Sequence, residues 1–359
     1  MKRRTSTRVG VVTAVACVAT STAAVSAQAG PRSDRDQVVA HVTTAATPTR
    51  DAAAAVVSSV RTGERTVAAS TREERYWTPA RMAAATSADE LPPQRAAAAT
   101  PAAARPTTAA QPTSATVLAK PVVPSRAVRS RARGAAASAT TKKGRVPVPT
   151  TAGKLFFTYD GADYVCSASS INSRNKSLVM TAGHCVHSGP QTGWHKNFAY
   201  VPAYYNGHAP YGVWTWQRAL TFKGWTEFGG FDYDQAFIAV QPQKGVRLVN
   251  KVGGNGLTVG ASHLQKTVRT FGWPAERPFT GGTPHYCDGR TGKRSGSNDA
   301  TLGCAMTGGA SGGPWIINRV NDTVGYVFAV TSRRTLYGPP TLLASPNSLA
   351  VKSLYQSIG

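Results

Sequence analysis

One stretch near the C-terminus decides how the chain is interpreted. It places a single serine among four glycines, in Thr307-Gly308-Gly309-Ala310-Ser311-Gly312-Gly313-Pro314-Trp315. Glycine adopts positive φ at little cost and lets backbone N–H groups approach a bound group closely. The Ser311 hydroxyl is therefore a candidate nucleophile, and the N–H groups of Gly309 and Ser311 are candidates to bind the oxygen of an attacked carbonyl. Because a serine hydroxyl is a weak nucleophile near neutral pH, such a site also needs a base and a group that orients it.

Two upstream motifs supply the base and its partner. His184 lies in Thr181-Ala182-Gly183-His184-Cys185, directly after an apolar segment. Asp234 is the first residue of Asp234-Gln235-Ala236-Phe237-Ile238-Ala239-Val240. Asp232 is a competing acid, but only Asp234 is followed by the apolar run. We predict His184 as the base and Asp234 as the orienting acid. The structural alternatives are a core histidine beside a disulfide for His184 and a Gly-Ser turn for Ser311.

These three motifs, in the order His, Asp, Ser, resemble those of the chymotrypsin-like (trypsin-fold) serine peptidases, most nearly secreted bacterial branches such as the glutamyl-endopeptidase-like enzymes. The resemblance implies an all-β fold of two antiparallel six-stranded Greek-key β-barrels with a C-terminal helix. It implies a serine endopeptidase that acts through an acyl-enzyme and needs no cofactor. Its oxyanion hole would be formed by the N–H groups of Gly309 and Ser311. Its site would lie in the cleft between the barrels.

Short β segments separated by Gly, Asn and Pro turns begin at Val146 and favour a barrel or sandwich without the resemblance. We place the peptidase domain at 146–359, with a first barrel at about 150–245, a second at about 250–340 and a helix at about 346–358. A hairpin is predicted across Asp160-Gly161, and Asn347 or Ser348 is expected to cap the final helix.

The resemblance also gives an expectation for the substrate pocket. Ala305 occupies a position low in that pocket, where trypsin-type enzymes carry an acid, so cleavage after Lys or Arg is not expected. Thr331 and Ser332 are expected to line the pocket. Arg333 and Arg334 are interpreted as a solvated turn, with attraction of an acidic side chain as the alternative. Ala310 replaces the aspartate that receives the new N-terminus in trypsin-type enzymes, so activation by that ion pair is not expected.

Four cysteines remain outside the N-terminal apolar run: Cys166, Cys185, Cys287 and Cys304. An even number in an exported chain indicates disulfides and leaves three pairings open. The resemblance favours Cys166–Cys185, which leaves Cys287–Cys304. No Cys-x-x-Cys is present, so no zinc or other metal site is predicted. His187 and His195 are interpreted as solvated loop histidines, with a metal pair as the alternative.

Residues 1–29 have the pattern of a secretory signal peptide. Basic residues come first, the short apolar run Val9–Thr20 follows, and Ala27-Gln28-Ala29 forms a small-x-small cleavage site. The apolar run is too short to span a membrane, so no stable membrane insertion is predicted. The expected location is extracellular.

Residues 30–145 are rich in Ala, Thr, Pro, Ser and Arg and contain two aromatic residues, Tyr76 and Trp77. We predict a disordered pro-region, inhibitory or assisting folding, or else a linker that tethers the domain. The net charge of +24 is scattered and has no interleaved stacking residues, so a solvated basic surface is favoured over nucleic-acid binding. A monomeric zymogen that acts on protein or peptide substrates is the main hypothesis. The alternatives are an esterase, or a catalytically silent domain that binds proteins or the cell wall.

Overall fold

The computed structural model describes residues 53–60, 67–91, 115–128, 130, 139–141, 144–265 and 267–359. The predicted signal peptide at 1–29 lies outside these described residues, as does much of 30–145. Within the described ranges, no helix has the length and apolar character needed to cross a bilayer.

The described residues before Val148 form short elements. These are β1 (Val56–Val60), α1 (Val67–Tyr76), α2 (Pro79–Ala84), β2 (Thr86–Ser87), a 3₁₀ turn (Ala88–Glu90), β3 (Thr116–Ala119), β4 (Ala139–Thr141) and β5 (Gly144–Val146). Helix α2 begins where the sequence specifies a helix start. The Thr78 side chain accepts a hydrogen bond from the Arg81 N–H, and Pro79 occupies the first turn.

Six antiparallel strands close into the first barrel. They are β6 (Ala152–Tyr159), β7 (Ala162–Ile171), β8 (Leu178–Thr181), β9 (Lys196–Pro202), β10 (Trp214–Phe222) and β11 (Ala236–Val240). Their order is β10-β11-β8-β7-β6-β9, and pairing of β9 with β10 closes the ring. The β6–β7 hairpin turns at Asp160 and Gly161, both with positive φ, and this confirms the predicted two-residue turn.

The second sheet is a curled half-barrel. Its strands are β12 (Gly256–Val259), β13 (Val268–Gly272), β14 (His285–Gly289), β15 (Gly292–Lys293), β16 (Ala300–Gly303), β17 (Pro314–Ile317), β18 (Tyr326–Arg334) and β19 (Thr341–Pro346). The expectation of two closed barrels therefore holds for the first sheet only. Strand β12 is paired on one side with β18 and on the other with the N-terminal strand β3, so both of its edges are occupied.

The final helix is present as predicted. Three short helices follow the barrel strands in sequence, α3 (Lys223–Thr226), α4 (Leu248–Val252) and α5 (Val351–Ile358). Helix α5 buries Val351, Leu354 and Ile358 on one face. The predicted cap at Asn347 or Ser348 is wrong, because the N-cap position is Ala350 and no side chain caps the helix. Asn347 is buried and its amide donates to the carbonyls of Thr258 and Val327, so it joins strands instead.

The described parts of the N-terminal region are folded against the barrels, which corrects the prediction of disorder for these segments. Strand β1 pairs with β10 along all of its length. The Trp77 side chain is only 2% exposed, packs on Phe156 with ring centroids 5.3 Å apart, and donates its indole N–H to the Asn197 carbonyl at 2.7 Å. Within the described segments, the large buried side chains belong to the same core cluster as those of the first barrel.

We predict that Trp77→Ala weakens this docking by about 3 to 5 kcal/mol, the usual cost of emptying a buried aromatic site. Faster amide hydrogen exchange in helices α1 and α2 would report the loss, while exchange in the barrel strands stays unchanged. Tyr337→Ala is the control, because Tyr337 is 90% exposed. Equal exchange rates in the Trp77→Ala variant and the parent chain would contradict the prediction.

Candidate active site

Ser311 lies in a tight turn immediately before β17. Gly309 has φ +89°, and a Cβ there would lie 2.8 Å from the Trp273 carbonyl oxygen. Gly312 has φ +79°, and a Cβ there would lie 2.0 Å from Thr181 Oγ1. Only glycine fits at these two positions. Among the described residues, the N–H groups of Gly309 and Ser311 have no hydrogen-bond partner, so both are available to an anionic oxygen.

Strand β7 holds this turn in place through Ser167. The Ser167 N–H donates to the Ser311 carbonyl at 2.7 Å, and its hydroxyl donates to the Gly309 carbonyl at 2.8 Å. The same hydroxyl accepts from the Trp273 N–H. The sequence analysis did not identify Ser167. The available signal was a polar residue in a strand between Cys166 and an alanine, because a buried hydroxyl requires a partner.

His184 and Asp234 are in contact. His184 lies in a 3₁₀ turn (Gly183–Cys185) after β8, and its Nδ1 is 3.0 Å from Asp234 Oδ2. The His184 backbone N–H also donates to Asp234 Oδ1 at 2.8 Å. Ser332, predicted to line the substrate pocket, donates its hydroxyl to Asp234 Oδ2 at 2.6 Å. Asp234 is fully buried, whereas the competing Asp232 is exposed and accepts from Asn298.

The contact changes the ionisation of both side chains. Burial lowers the pKa of His184, but the charge and hydrogen bond of Asp234 and the charge of Asp89 outweigh it, so the pKa is raised above its usual value. Burial raises the pKa of Asp234, but the charge and hydrogen bonds of His184 and the hydroxyl of Ser332 outweigh it, so that pKa is lowered. Each group thus favours the charged form of the other.

An acid that the sequence analysis did not consider lies at Ser311. The Ser311 hydroxyl donates to Asp89 Oδ1 at 3.0 Å, and among the described residues no hydrogen bond joins Ser311 to His184. Asp89 belongs to the 3₁₀ turn Ala88–Glu90 of the N-terminal region. Ser87 and Glu90 match the Ser-x-x-Glu pattern of a helix start, which indicates the turn but not its location in the fold.

The predicted pocket residues have mixed surroundings. Ala305 is exposed, whereas Thr331 is buried and its hydroxyl accepts from the Trp315 indole at 2.9 Å. Arg333 and Arg334 are not a solvated turn. Arg333 donates to Asp299 at 2.6 Å, and Arg334 donates to Glu276 at 2.7 Å. Both guanidinium charges already have acidic partners.

The four cysteines form the pairs Cys166–Cys185 and Cys287–Cys304, the pairing that the resemblance implied. The first joins β7 to the turn that carries His184. The described residues contain one group with metal-ligand spacing, Cys166, His184 and Cys185, but both of its cysteines are in the disulfide. Without a free thiolate this group does not have the ligands of a zinc site.

His187 and His195 are both buried, so their interpretation as solvated loop histidines is wrong. Burial lowers the pKa of His187 to about 4 and that of His195 to about 3. Both ring nitrogens of His195 have partners, the Ser188 hydroxyl at 2.8 Å and the Cys185 carbonyl at 3.1 Å. A neutral, fully partnered imidazole supports the loop and has no nitrogen left for a metal.

Comparisons with known proteins find no matching family model, but they find similar proteins and similar solved structures. The chain is 31% identical over 107 residues to the extracellular metalloprotease of Bacillus subtilis (strain 168), which is 29% of this chain and 33% of the relative. The chain thus spans a third of that relative's length. Two solved structures are similar over 96% of their own length, each with a TM-score of 0.55. They are the thermostable serine protease AL20 from an extremophilic microorganism (31% identical, 58% of this chain) and protease Anisep from Arthrobacter nicotinovorans (36% identical, 59% of this chain).

We predict that Asp234→Asn lowers the pKa of His184, because the substitution removes the negative charge that raises it. Titration of the imidazole by NMR measures the change. Asp232→Asn is the matched control, since Asp232 is two residues away and contacts Asn298 instead. A His184 pKa that responds to Asp232→Asn and not to Asp234→Asn would show that the pairing is wrong.

Proposed function

The chain belongs to the chymotrypsin-like serine proteases, and on that premise we propose that it is a secreted endopeptidase whose catalytic triad is Ser311, His184 and Asp234. The observation that carries the proposal is the contact between His184 and the buried Asp234. It gives a base whose orientation and charge are controlled. A domain that only binds proteins or the cell wall has no need of this arrangement, so the peptidase is favoured.

The proposed reaction begins when Ser311 Oγ attacks the carbonyl carbon of the scissile peptide bond. Because Nδ1 of His184 is bound to Asp234, Nε2 is the ring nitrogen that takes the serine proton. The N–H groups of Gly309 and Ser311 bind the oxyanion of the tetrahedral intermediate, and each such donor contributes on the order of 3 kcal/mol in the transition state. His184 then gives its proton to the departing amine, which leaves an acyl-enzyme on Ser311.

Water completes the cycle by attacking the acyl carbonyl carbon while His184 takes its proton, and His184 then returns that proton to Ser311 Oγ as the ester bond breaks and the acid product leaves. Asp234 keeps the imidazole in one tautomer and stabilises its charged form. Ser332, through its hydrogen bond to Asp234, would act as a positioning residue. The reaction as proposed draws only on side chains and backbone groups of this chain.

Substrates are proposed to be proteins or peptides, taken by a monomer. The end of β18 would pair with the substrate backbone by strand addition, with Ala305 and Thr331 at the side-chain pocket. Two disulfides support export to an oxidising compartment, and so does the name of the Bacillus relative, an extracellular metalloprotease. Residues 1–29 are the proposed signal peptide, and residues 30–145 are proposed to restrain the protease before activation.

The test is labelling of the full chain with a fluorophosphonate, taken to completion and mapped by mass spectrometry. We expect the label on Ser311, its loss in Ser311→Ala and its retention in Ser357→Ala, an exposed control. Asp234→Asn should slow labelling by about 10⁴-fold, because the imidazole then adopts the wrong tautomer. A correctly folded chain that stays unlabelled on Ser311 would favour the silent binding domain.

The pH dependence gives a separate test. Catalysis requires neutral His184, and its pKa is raised above the usual 6.5, so activity should fall as the pH drops through a value above 6.5. In Asp234→Asn the remaining activity should persist to lower pH, because the pKa of His184 falls. Rates of labelling measured across the pH range give the acidic limb of the parent chain and that of Asp234→Asn. An acidic limb at or below pH 6.5 in the parent chain would count against the assignment.

A further inference from the structure

Residues 76–91 of this chain lie beside Ser311 and on the adjoining face of the first barrel. We call them the inhibitory segment. We infer that this segment is a built-in inhibitor and that the Asp89 carboxylate is its inhibitory group. The surface that receives it fits peptides that begin with an aromatic and an arginine side chain and end with an acidic one. In this chain Tyr76 and Arg81 form the anchor of the segment, and Asp89 is its tip. The inference rests on the proposed function, because it takes Ser311 as the nucleophile.

The tip of the segment engages the nucleophile directly. The Ser311 hydroxyl donates a hydrogen bond to Asp89 Oδ1 at 3.0 Å, so the hydroxyl proton is directed away from His184. The base therefore has no hydrogen bond to the nucleophile while the tip is in place.

The tip is held by backbone and side-chain contacts on both sides of the cleft. Thr86–Ser87 forms strand β2, which runs parallel to Tyr164–Val165 of β7. The Ser87 hydroxyl accepts from the Asp89 N–H at 3.0 Å, and Ser87 itself is fully buried. A Cβ on Gly308 would lie 2.4 Å from Ser87 Oγ, so the segment occupies space beside the loop that leads to the nucleophile. A substrate must displace it to reach that loop.

The chemistry of the tip explains why the segment inhibits without being cleaved there. The group at Ser311 is a side-chain carboxylate, not a peptide carbonyl. Its carbon is shielded by the negative charge shared between two oxygens, and attack on it would have no amine leaving group to expel. Asp89 is thus an acceptor for the serine proton and not a substrate for the serine oxygen.

The other end of the segment is anchored on the same strand. Both carboxylate oxygens of Asp163 on β7 are engaged, one by the Tyr76 hydroxyl at 2.7 Å and the other by Arg81 at 3.0 Å. The Arg81 guanidinium also lies over the Tyr76 ring, 4.2 Å from its centroid. Between these contacts Trp77 and Met82 are buried to 2% exposure. The anchor fixes the segment on β7, and β7 also orders the turn of Ser311.

Charged groups surround the tip. Burial raises the pKa of Asp89 above its usual value and the nearby Glu276 adds to the rise, whereas the charges of His184 and Arg334 and the hydrogen bond from Ser311 oppose it. Arg334 is itself bonded to Glu276, so the carboxylate lies beside an ion pair and the imidazole of the proposed base. The charges of His184 and Arg334 therefore offset part of the cost of placing a carboxylate at this position.

The experiment uses the full chain and measures the rate constant for fluorophosphonate labelling of Ser311. Asp89→Ala should label about 10-fold to 100-fold faster than the parent chain, the range for loss of a hydrogen bond to a charged group. Glu90→Ala is the matched control, because Glu90 is the neighbouring exposed acid, and its rate should equal that of the parent. Asp89→Asn retains an oxygen acceptor without the charge and should lie between the two.

The anchor is tested in the same assay. Arg81→Gln and Asp163→Asn should each accelerate labelling by about 2-fold to 5-fold, the range of an ion pair at the surface, and because they share that ion pair the double variant should be accelerated by less than the product of the two single effects. Unfolding midpoints of all variants verify that each is folded.

The outcomes separate the two proposals. If Ser311 is labelled at the same rate in Asp89→Ala, Glu90→Ala and the parent chain, the inhibitory role of Asp89 is wrong and the proposed function stands. If Ser311 stays unlabelled in every folded variant, including Asp89→Ala, the proposed function fails and the inhibitory role fails with it. Faster labelling in Asp89→Ala alone supports both.

Discussion

The structure depends on a charge that cannot remain buried without partners, the carboxylate of Asp234. It is fully buried, and an unpaired ionised carboxylate in such a place is expensive. Its oxygens are satisfied by the backbone and ring of His184 in the first barrel and by the hydroxyl of Ser332 on β18 of the second sheet. The same three contacts orient the imidazole, lower the pKa of the acid and join the first barrel to the second sheet. Removing one partner would leave the buried carboxylate without full compensation for its charge in the low-dielectric interior.

Strand β7 supplies the second constraint. Along its length Asp163 anchors the inhibitory segment, Cys166 is linked to the turn of His184, and Ser167 binds the turn of Ser311. Its position between β6 and β8 in a closed barrel makes it one of the least mobile elements available. The parts of the site therefore share a rigid reference even though they come from distant parts of the chain. Precise placement of reacting groups requires such support.

The N-terminal region shows how composition can mislead. Only two aromatic residues, Tyr76 and Trp77, occur before Val146, and a region so poor in large apolar side chains is not expected to build an independent core. The described segments do not build one. They extend existing sheets through β1 and β3 and insert single large side chains, Trp77 and Met82, into contacts with the barrel. Whether such a segment folds depends on the apolar area that it buries against the rest of the chain, and composition does not report that area.

By itself the sequence determined what is local: the β6–β7 hairpin at Asp160-Gly161, the final helix, the glycines around Ser311 and the short motifs that contain Ser311, His184 and Asp234. These follow from turn geometry, periodicity and short motifs, which act over a few residues. The tertiary structure decided the rest. Examples are the half-barrel, the bond of Ser332 to Asp234, the burial of His195 and the contact of Asp89 with Ser311, residues 222 positions apart. Such contacts are set by how the sheets curve and dock, and no pattern along the chain records which distant side chains will share one buried space.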